Sequence, residues 1–146
     1  MIAIVDAVGN IIAPLPLHAA NEPDIVKLGD GLTMLKRMVK AIEVSVRGSI
    51  LNLDAGFDSK ANRKRVWNSG MRPNIKTNPR NRRTPKRGRK RWFDEEVYKQ
   101  RFTIERSFGW EDKFRRVLLR FERIAENHMG FKLLAFTLIN LRWVIS

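Results

Sequence analysis

Over residues 49–77 a strand, a helix and a second strand follow one another, and that order points to the α/β class. The run SILNLDAGF, residues 49–57, is short, mostly apolar and closed by Gly56, as a buried central strand should be. Asp58 precedes SKANRKRVWNSG, a helix-like run that stops at Gly70, so Asp58 is expected to cap that helix at its N-terminus. MRPNIKT, residues 71–77, follows as a short second strand. Asp54 lies near the C-terminal end of the first strand, the edge at which open α/β sheets hold ligands. A carboxylate on a buried strand is costly unless it is paired or binds a metal, which makes Asp54 the leading candidate in the first half. The plainer reading of Asp54 is a turn residue at the strand end.

The N-terminal flank suits the same class. Residues 1–17, MIAIVDAVGNIIAPLPL, read as a β-hairpin turning at Val8, Gly9 and Asn10, with Pro14 and Pro16 at the strand end. Asp6 is expected to initiate that turn, and His18 to pack or cap rather than ligate. In NEPDIVKLGDGLTMLKRMVKAI, the residues Ile25, Leu28, Leu32, Leu35, Val39 and Ile42 fall on one helical face. Asn21 is the expected cap of that helix, with Pro23 in its first turn. Gly29 and Gly31 weaken its middle, so a short helix followed by a longer one is expected.

The formal charge of +14 is concentrated in one place. Residues 59–93 contain 14 Lys and Arg and no acid, and the rest of the chain has 15 basic and 15 acidic residues. A localised positive field favours a polyanion, most simply nucleic acid, because neutralised phosphates release counterions. Within it, residues 78–91, NPRNRRTPKRGRKR, hold eight cations: Arg80, Arg82, Arg83, Lys86, Arg87, Arg89, Lys90 and Arg91. With two prolines, a glycine and no apolar period, this stretch is expected to be a flexible phosphate-binding loop. Such a loop carries no base specificity, since phosphate contacts read no sequence. The absence of cysteine removes disulfides and thiol catalysis. No basic n-region opens the chain, and the most apolar run, residues 131–145, is short and interrupted by Lys132, Asn140 and Arg142. Neither a signal peptide nor a membrane span is expected.

Residues 94–113, DEEVYKQRFTIERSFGWEDK, read as one helix. Tyr98, Arg101 and Glu105 stand at i, i+3 and i+7, which at about 100° per residue places them on one face. Phe93, Val97, Phe102, Ile104 and Phe108 supply its apolar contacts. Read alone, this is equally an amphipathic helix with an Arg101–Glu105 pair at i, i+4. A second basic helix is expected at Phe114, Val117, Leu118, Phe121 and Ile124, with Arg115, Arg116, Arg120 and Arg123 around the remainder. An apolar helix over residues 130–145 is expected to bury two faces, against the sheet or against another subunit. Asp54 and Glu105 could meet at one sheet end, and clustered carboxylates are what Mg²⁺ requires. Two such ions can activate a water or 3′-hydroxyl and stabilise the leaving oxygen of a phosphodiester.

LNLDAGFDS, YKQRFTIERSFGW and FRRVLLRFERIAENHMGFKLLAFTLINLR together resemble the C-terminal part of the catalytic domain of DDE transposases of bacterial insertion sequences. The branch in question carries Tyr, two residues, Arg, three residues, Glu, which Tyr98, Arg101 and Glu105 match. The resemblance covers nearly the whole chain, taken as one partial catalytic domain over residues 1–146. It implies a ribonuclease-H-like core with C-terminal helices. It also implies Asp54 and Glu105 as catalytic acids and metal ligands, with Tyr98, Arg101 and Lys113 as signature support. Mg²⁺ or Mn²⁺ would be the cofactor and DNA, at transposon ends, the partner. Family members commonly act as dimers, and the setting is the bacterial cytoplasm and nucleoid.

The family's Lys follows Glu by seven positions, where this chain has Asp112, with Lys113 one further on. The family's first catalytic Asp sits on a strand before the segment that residues 1–17 resemble. Asp6 is the acid in that part of the fold and a weak candidate for the metal. The chain is accordingly expected to be N-terminally truncated and inactive alone. The rival reading is a basic nucleic-acid-binding module without catalysis. A structural ribosome-associated protein would fit the charge but gives Tyr98, Arg101 and Glu105 no role.

Overall fold

The computed structural model describes residues 3–14, 24–78, 91–119 and 122–145. His18, Asn21, Pro23, Arg120, Phe121 and seven of the arm's eight cations lie outside the described residues; Arg91 lies within them. Helices and two small sheets make up the structure, an arrangement compatible with α/β. The chain divides into two compact units: Val39–Arg101, central in sequence, and Met1–Met38 together with Phe102–Ser146. Helix α1 (Asp24–Ala41) runs through the sequence boundary between them.

In the terminal unit, β1 (Ala3–Val5) pairs antiparallel with β2 (Ile11–Pro14). The expected hairpin is present, and Asp6 builds its turn. Asp6 Oδ1 accepts from the N–H groups of Val8, Gly9 and Asn10 at 3.0, 2.8 and 2.8 Å, and Oδ2 accepts from the Asn10 amide at 2.8 Å. Gly9 has φ 105°, and a Cβ there would meet Thr103 Cγ2 at 3.3 Å, so glycine serves both backbone and packing. Helix α6 (Ala125–Ile145) lies under the hairpin, where Ala3, Ile11, Phe136 and Ile139 form a core flanked by Val5, Phe108, Trp110 and Phe114. The Asn140 amide pairs with both Ile11 backbone groups at 2.9 Å, as a neighbouring strand would. Leu134, Leu138, Leu141 and Ile145 are exposed along another stripe of α6, so its burial is one-faced rather than two-faced.

Gly29 and Gly31 do not divide α1, which is continuous. Burial of Leu28, Leu32, Leu35 and Val39 on one stripe outweighs the roughly 1 kcal/mol that a mid-helix glycine costs. The expected second basic helix is a single turn, α5 (Arg115–Leu118). Phe114, expected to open its apolar face, stands before it in a non-helical conformation and packs on the hairpin core, while Ile124 is exposed.

The central unit holds the strand–helix–strand segment. β3 (Ile50–Leu53) and β4 (Arg72–Ile75) pair in parallel, Ile50 opposite Arg72 and Leu53 opposite Ile75. α2 (Lys60–Asn68) connects them and ends at Gly70, whose φ of 81° lets the chain reverse. Val66, Met71 and Ile75 are buried between helix and sheet. The first strand is shorter and more open than the apolar run implied. Ile50 is exposed, Leu51, Asn52 and Leu53 are half-buried, and Ala55–Phe57 close a 3₁₀ turn with Phe57 N–H donating to the Asp54 carbonyl at 2.9 Å.

Residues 94–113 form two helices, α3 (Glu95–Lys99) and α4 (Phe102–Glu111), rather than one. In a continuous helix the Arg101 N–H would donate to the Val97 carbonyl. Instead the Asn52 side-chain amide donates to that carbonyl at 2.9 Å, the Gln100 N–H closes on it at 3.2 Å, and Arg101 N–H turns to Tyr98 O at 3.1 Å. The ladder tightens and stops there. Tyr98 therefore lies in α3, Arg101 in the break and Glu105 in α4, and they do not share the face of one helix.

Candidate active site

The central unit brings three of the candidate residues together. Asp54 follows β3 directly, in an extended conformation (φ −61°, ψ 156°), with its side chain 65% exposed. The Arg101 guanidinium pairs with Asp54 Oδ1. The same guanidinium lies 5.5 Å from the centre of the Tyr98 ring, and that ring packs on Phe93 at 5.1 Å in a tilted arrangement.

What positions Arg101 is a ladder of amides across the parallel pair. Asn52 and Asn74 stand opposite one another in the β3–β4 register. Asn74 Nδ2 donates to Asn52 Oδ1 and to the Asp94 carbonyl, each at 2.8 Å, and Asn74 Oδ1 accepts from the Asp94 N–H at 2.9 Å. Asp94 in turn caps α3, its carboxylate accepting from Val97 N–H at 3.0 Å. Asn52 completes the link through Val97. The strand pair thus holds both the N-cap residue and the last turn of α3, and with them the chain on either side of Tyr98.

A second centre lies beyond the 3₁₀ turn. Asp58 is buried and does not cap α2; Ser59 does, accepting from Asn62 N–H at 3.0 Å. Asp58 Oδ1 accepts from Arg63 Nε at 2.9 Å and Arg91 Nη1 at 2.6 Å, and Oδ2 accepts from the Asn78 N–H at 3.1 Å. Arg63 reaches on to the Ile75 carbonyl at 2.8 Å. Burial pushes the Asp58 carboxyl up, but the Asn78 hydrogen bond and the charges of Arg63 and Arg91 outweigh it and hold the group below its ordinary value. Asn78 and Arg91 border the basic arm, so one carboxylate ties down both of its roots. Arg72 stacks on Trp92 at 3.8 Å beside it.

Glu105 and Lys113 belong to the terminal unit. Glu105 is exposed in the first turn of α4. Lys113 Nζ lies over the Trp110 ring at 3.6 Å, and Arg142 over the same ring at 3.5 Å. Both oxygens of Asp6 are engaged by its own turn. Sequence reasoning missed Asn52, Asn74 and the buried role of Asp58. For Asn52 a signal existed, an amide inside the apolar run ILNL, since a buried amide requires partners.

Among the described residues, no group of three or more His, Cys, Asp or Glu side chains is gathered as a complete metal cage would be. Magnesium nevertheless commonly takes one or two carboxylates and completes its shell with water and substrate phosphates. Asp54, 65% exposed at a strand end and paired through Oδ1 with Arg101, offers one such carboxylate. Among the described residues, no helix is long and apolar enough to cross a membrane.

The family model of the transposase DDE domain matches residues 51–142, from β3 into α6. The chain belongs to this family, the DDE-type transposases. No curated protein and no solved structure is matched. The family implies DNA as a partner, and its domains generally use divalent metal ions.

Proposed function

We propose that this chain is part of the catalytic domain of a bacterial insertion-sequence transposase, of the branch with the Tyr-x2-Arg-x3-Glu signature, on a ribonuclease-H-like core. Its work would be to bind DNA at transposon ends and to contribute to metal-dependent phosphodiester cleavage and strand transfer. The observation that carries this reading is Asp54, an open carboxylate at the C-terminal end of a parallel strand inside the matched segment. Asp54 and Glu105 are the acids that would hold Mg²⁺ or Mn²⁺. A bound ion would activate a water or 3′-hydroxyl and neutralise the leaving oxygen.

The chain's own residues divide the remaining tasks. Arg80, Arg82, Arg83, Lys86, Arg87, Arg89, Lys90 and Arg91 bind the phosphate backbone, and Asp58 holds the two ends of that arm. Arg101 pairs with Asp54 and lies over the Tyr98 ring, so both residues border the proposed metal position. Lys113, one position past the place of the family's lysine, is signature support and lies over the Trp110 ring on the terminal unit. Both oxygens of Asp6 are engaged by its own turn, so Asp6 is not among the acids proposed for the metal.

Binding of a labelled duplex, measured against salt, tests the DNA reading. If six of the arm's cations meet phosphates, log K should fall against log salt with a slope of about −5. Replacing all eight arm cations by glutamine should make the slope markedly shallower. An affinity indifferent to salt in the unaltered chain would contradict the reading.

A further inference from the structure

We infer that Arg101 is the resident counter-ion of Asp54 and is exchanged for a divalent cation when one binds. This rests on the reading of Asp54 as a metal ligand and adds a competitor for that position. Three observations carry it. The Arg101 guanidinium pairs with an oxygen of the same carboxylate that a metal would take. The pair is open to water, with the Arg101 and Asp54 side chains 42% and 65% exposed, and ion pairs in water are readily broken and remade. Arg101 is also delivered there by the fold and not by chance reach. Asn52 occupies the carbonyl that a continuous helix would offer to the Arg101 N–H, and this places Arg101 in the break between α3 and α4.

An ordinary supporting role would have Arg101 hold Asp54 in the metal-bound form, and its loss would then weaken metal binding. Exchange has the opposite sign. A guanidinium and a divalent ion cannot both lie close to one carboxylate oxygen without repulsion, so removing Arg101 leaves the carboxylate free for the ion. The Tyr98 ring, 5.5 Å from the guanidinium, offers the displaced cation an adjacent resting face.

The test is a Mn²⁺ titration of the full chain at low ionic strength, read from the electron paramagnetic resonance signal of the free ion. Arg101→Gln should tighten Mn²⁺ binding about five- to tenfold, and Arg101→Lys should tighten it less, because the charge remains. Asp54→Asn should weaken binding at least tenfold, and adding Arg101→Gln to it should change nothing further. Lys64→Gln, which removes a charge elsewhere in the unit, should shift affinity by less than twofold. If Asp54→Asn weakens binding while Arg101→Gln leaves it unchanged or weaker, exchange is overturned and Asp54 stands as a ligand. If Asp54→Asn has no effect, the reading of Asp54 fails and the inference falls with it. A Lys64→Gln effect equal to that of Arg101→Gln would also overturn exchange, since bulk charge would then account for the gain.

Discussion

Replacing Asn74 by alanine should lower the free energy of unfolding by about 2–4 kcal/mol, measured by urea denaturation of the whole chain. Asn74 is fully buried, and its amide makes three hydrogen bonds, two to the Asp94 backbone and one to Asn52. Alanine would leave the Asp94 N–H without its acceptor, and an unmade buried bond costs more than a made one contributes. The cavity adds to the loss. The damage should also spread beyond stability. Asp94 is the cap of α3, and α3 carries Tyr98 and leads to Arg101, so amide exchange should quicken at Val97 and Tyr98 before the rest of the unit. Asn74→Asp is informative too, because it keeps the size but replaces the donor to the Asp94 carbonyl. A loss below about 0.5 kcal/mol for Asn74→Ala would show that the ladder does not hold the helix.

Asp58→Ala should be at least as severe, about 3–5 kcal/mol near neutral pH. The Asp58 side chain is 2% exposed and that of Arg63 14%, so removing the anion leaves a mostly buried guanidinium without its ion-pair partner. The pH dependence gives a separate check. Folding holds the Asp58 carboxyl below its ordinary value, so the folded state binds this proton less readily than the unfolded chain does. The contribution of Asp58 is therefore complete above about pH 4, near the unfolded carboxyl value, and is lost as pH falls through the lower folded one. The unaltered chain should lose stability on acidification more steeply than Asp58→Ala, and the two curves should converge at the acid end. Curves that stay parallel down to about pH 2 would contradict this account of the centre.

Local features of the sequence were legible where a local cause produced them. Asp6 and Gly9 marked a turn whose hydrogen bonds span only four residues. Gly70 marked the end of α2, and Met71 the approach to a second strand. The strand SILNLDAGF was read too long because apolar character continues through Ala55 and Phe57, although the backbone there closes a 3₁₀ turn. The continuous helix over residues 94–113 failed for a different reason. Its periodicity is sound, but the group that takes the Val97 carbonyl is Asn52, 45 positions away, and no local window contains both. Asp58 was misread in the same way. A carboxylate before a helix looks like a cap, and only the fold brings Arg63, Asn78 and Arg91 around it. Of the candidate site, Asp54 with Arg101 and Tyr98 is a cluster in the structure, although the single helix face invoked to unite Tyr98, Arg101 and Glu105 is absent.

The central claim is that Asp54 and Glu105 serve a metal, and that the chain is not only a basic binder of DNA. Thermal unfolding with and without Mn²⁺ measures this most directly, in the unaltered chain and in a variant carrying Asp54→Ala with Glu105→Ala. An ion that binds the folded chain at a hundred times its dissociation constant stabilises it by about 2.7 kcal/mol. The account predicts a clear rise in melting temperature with Mn²⁺ for the unaltered chain and none for the double variant. Equal responses in the two proteins, or none in either, would contradict it and leave a nucleic-acid-binding module whose acids have no catalytic task.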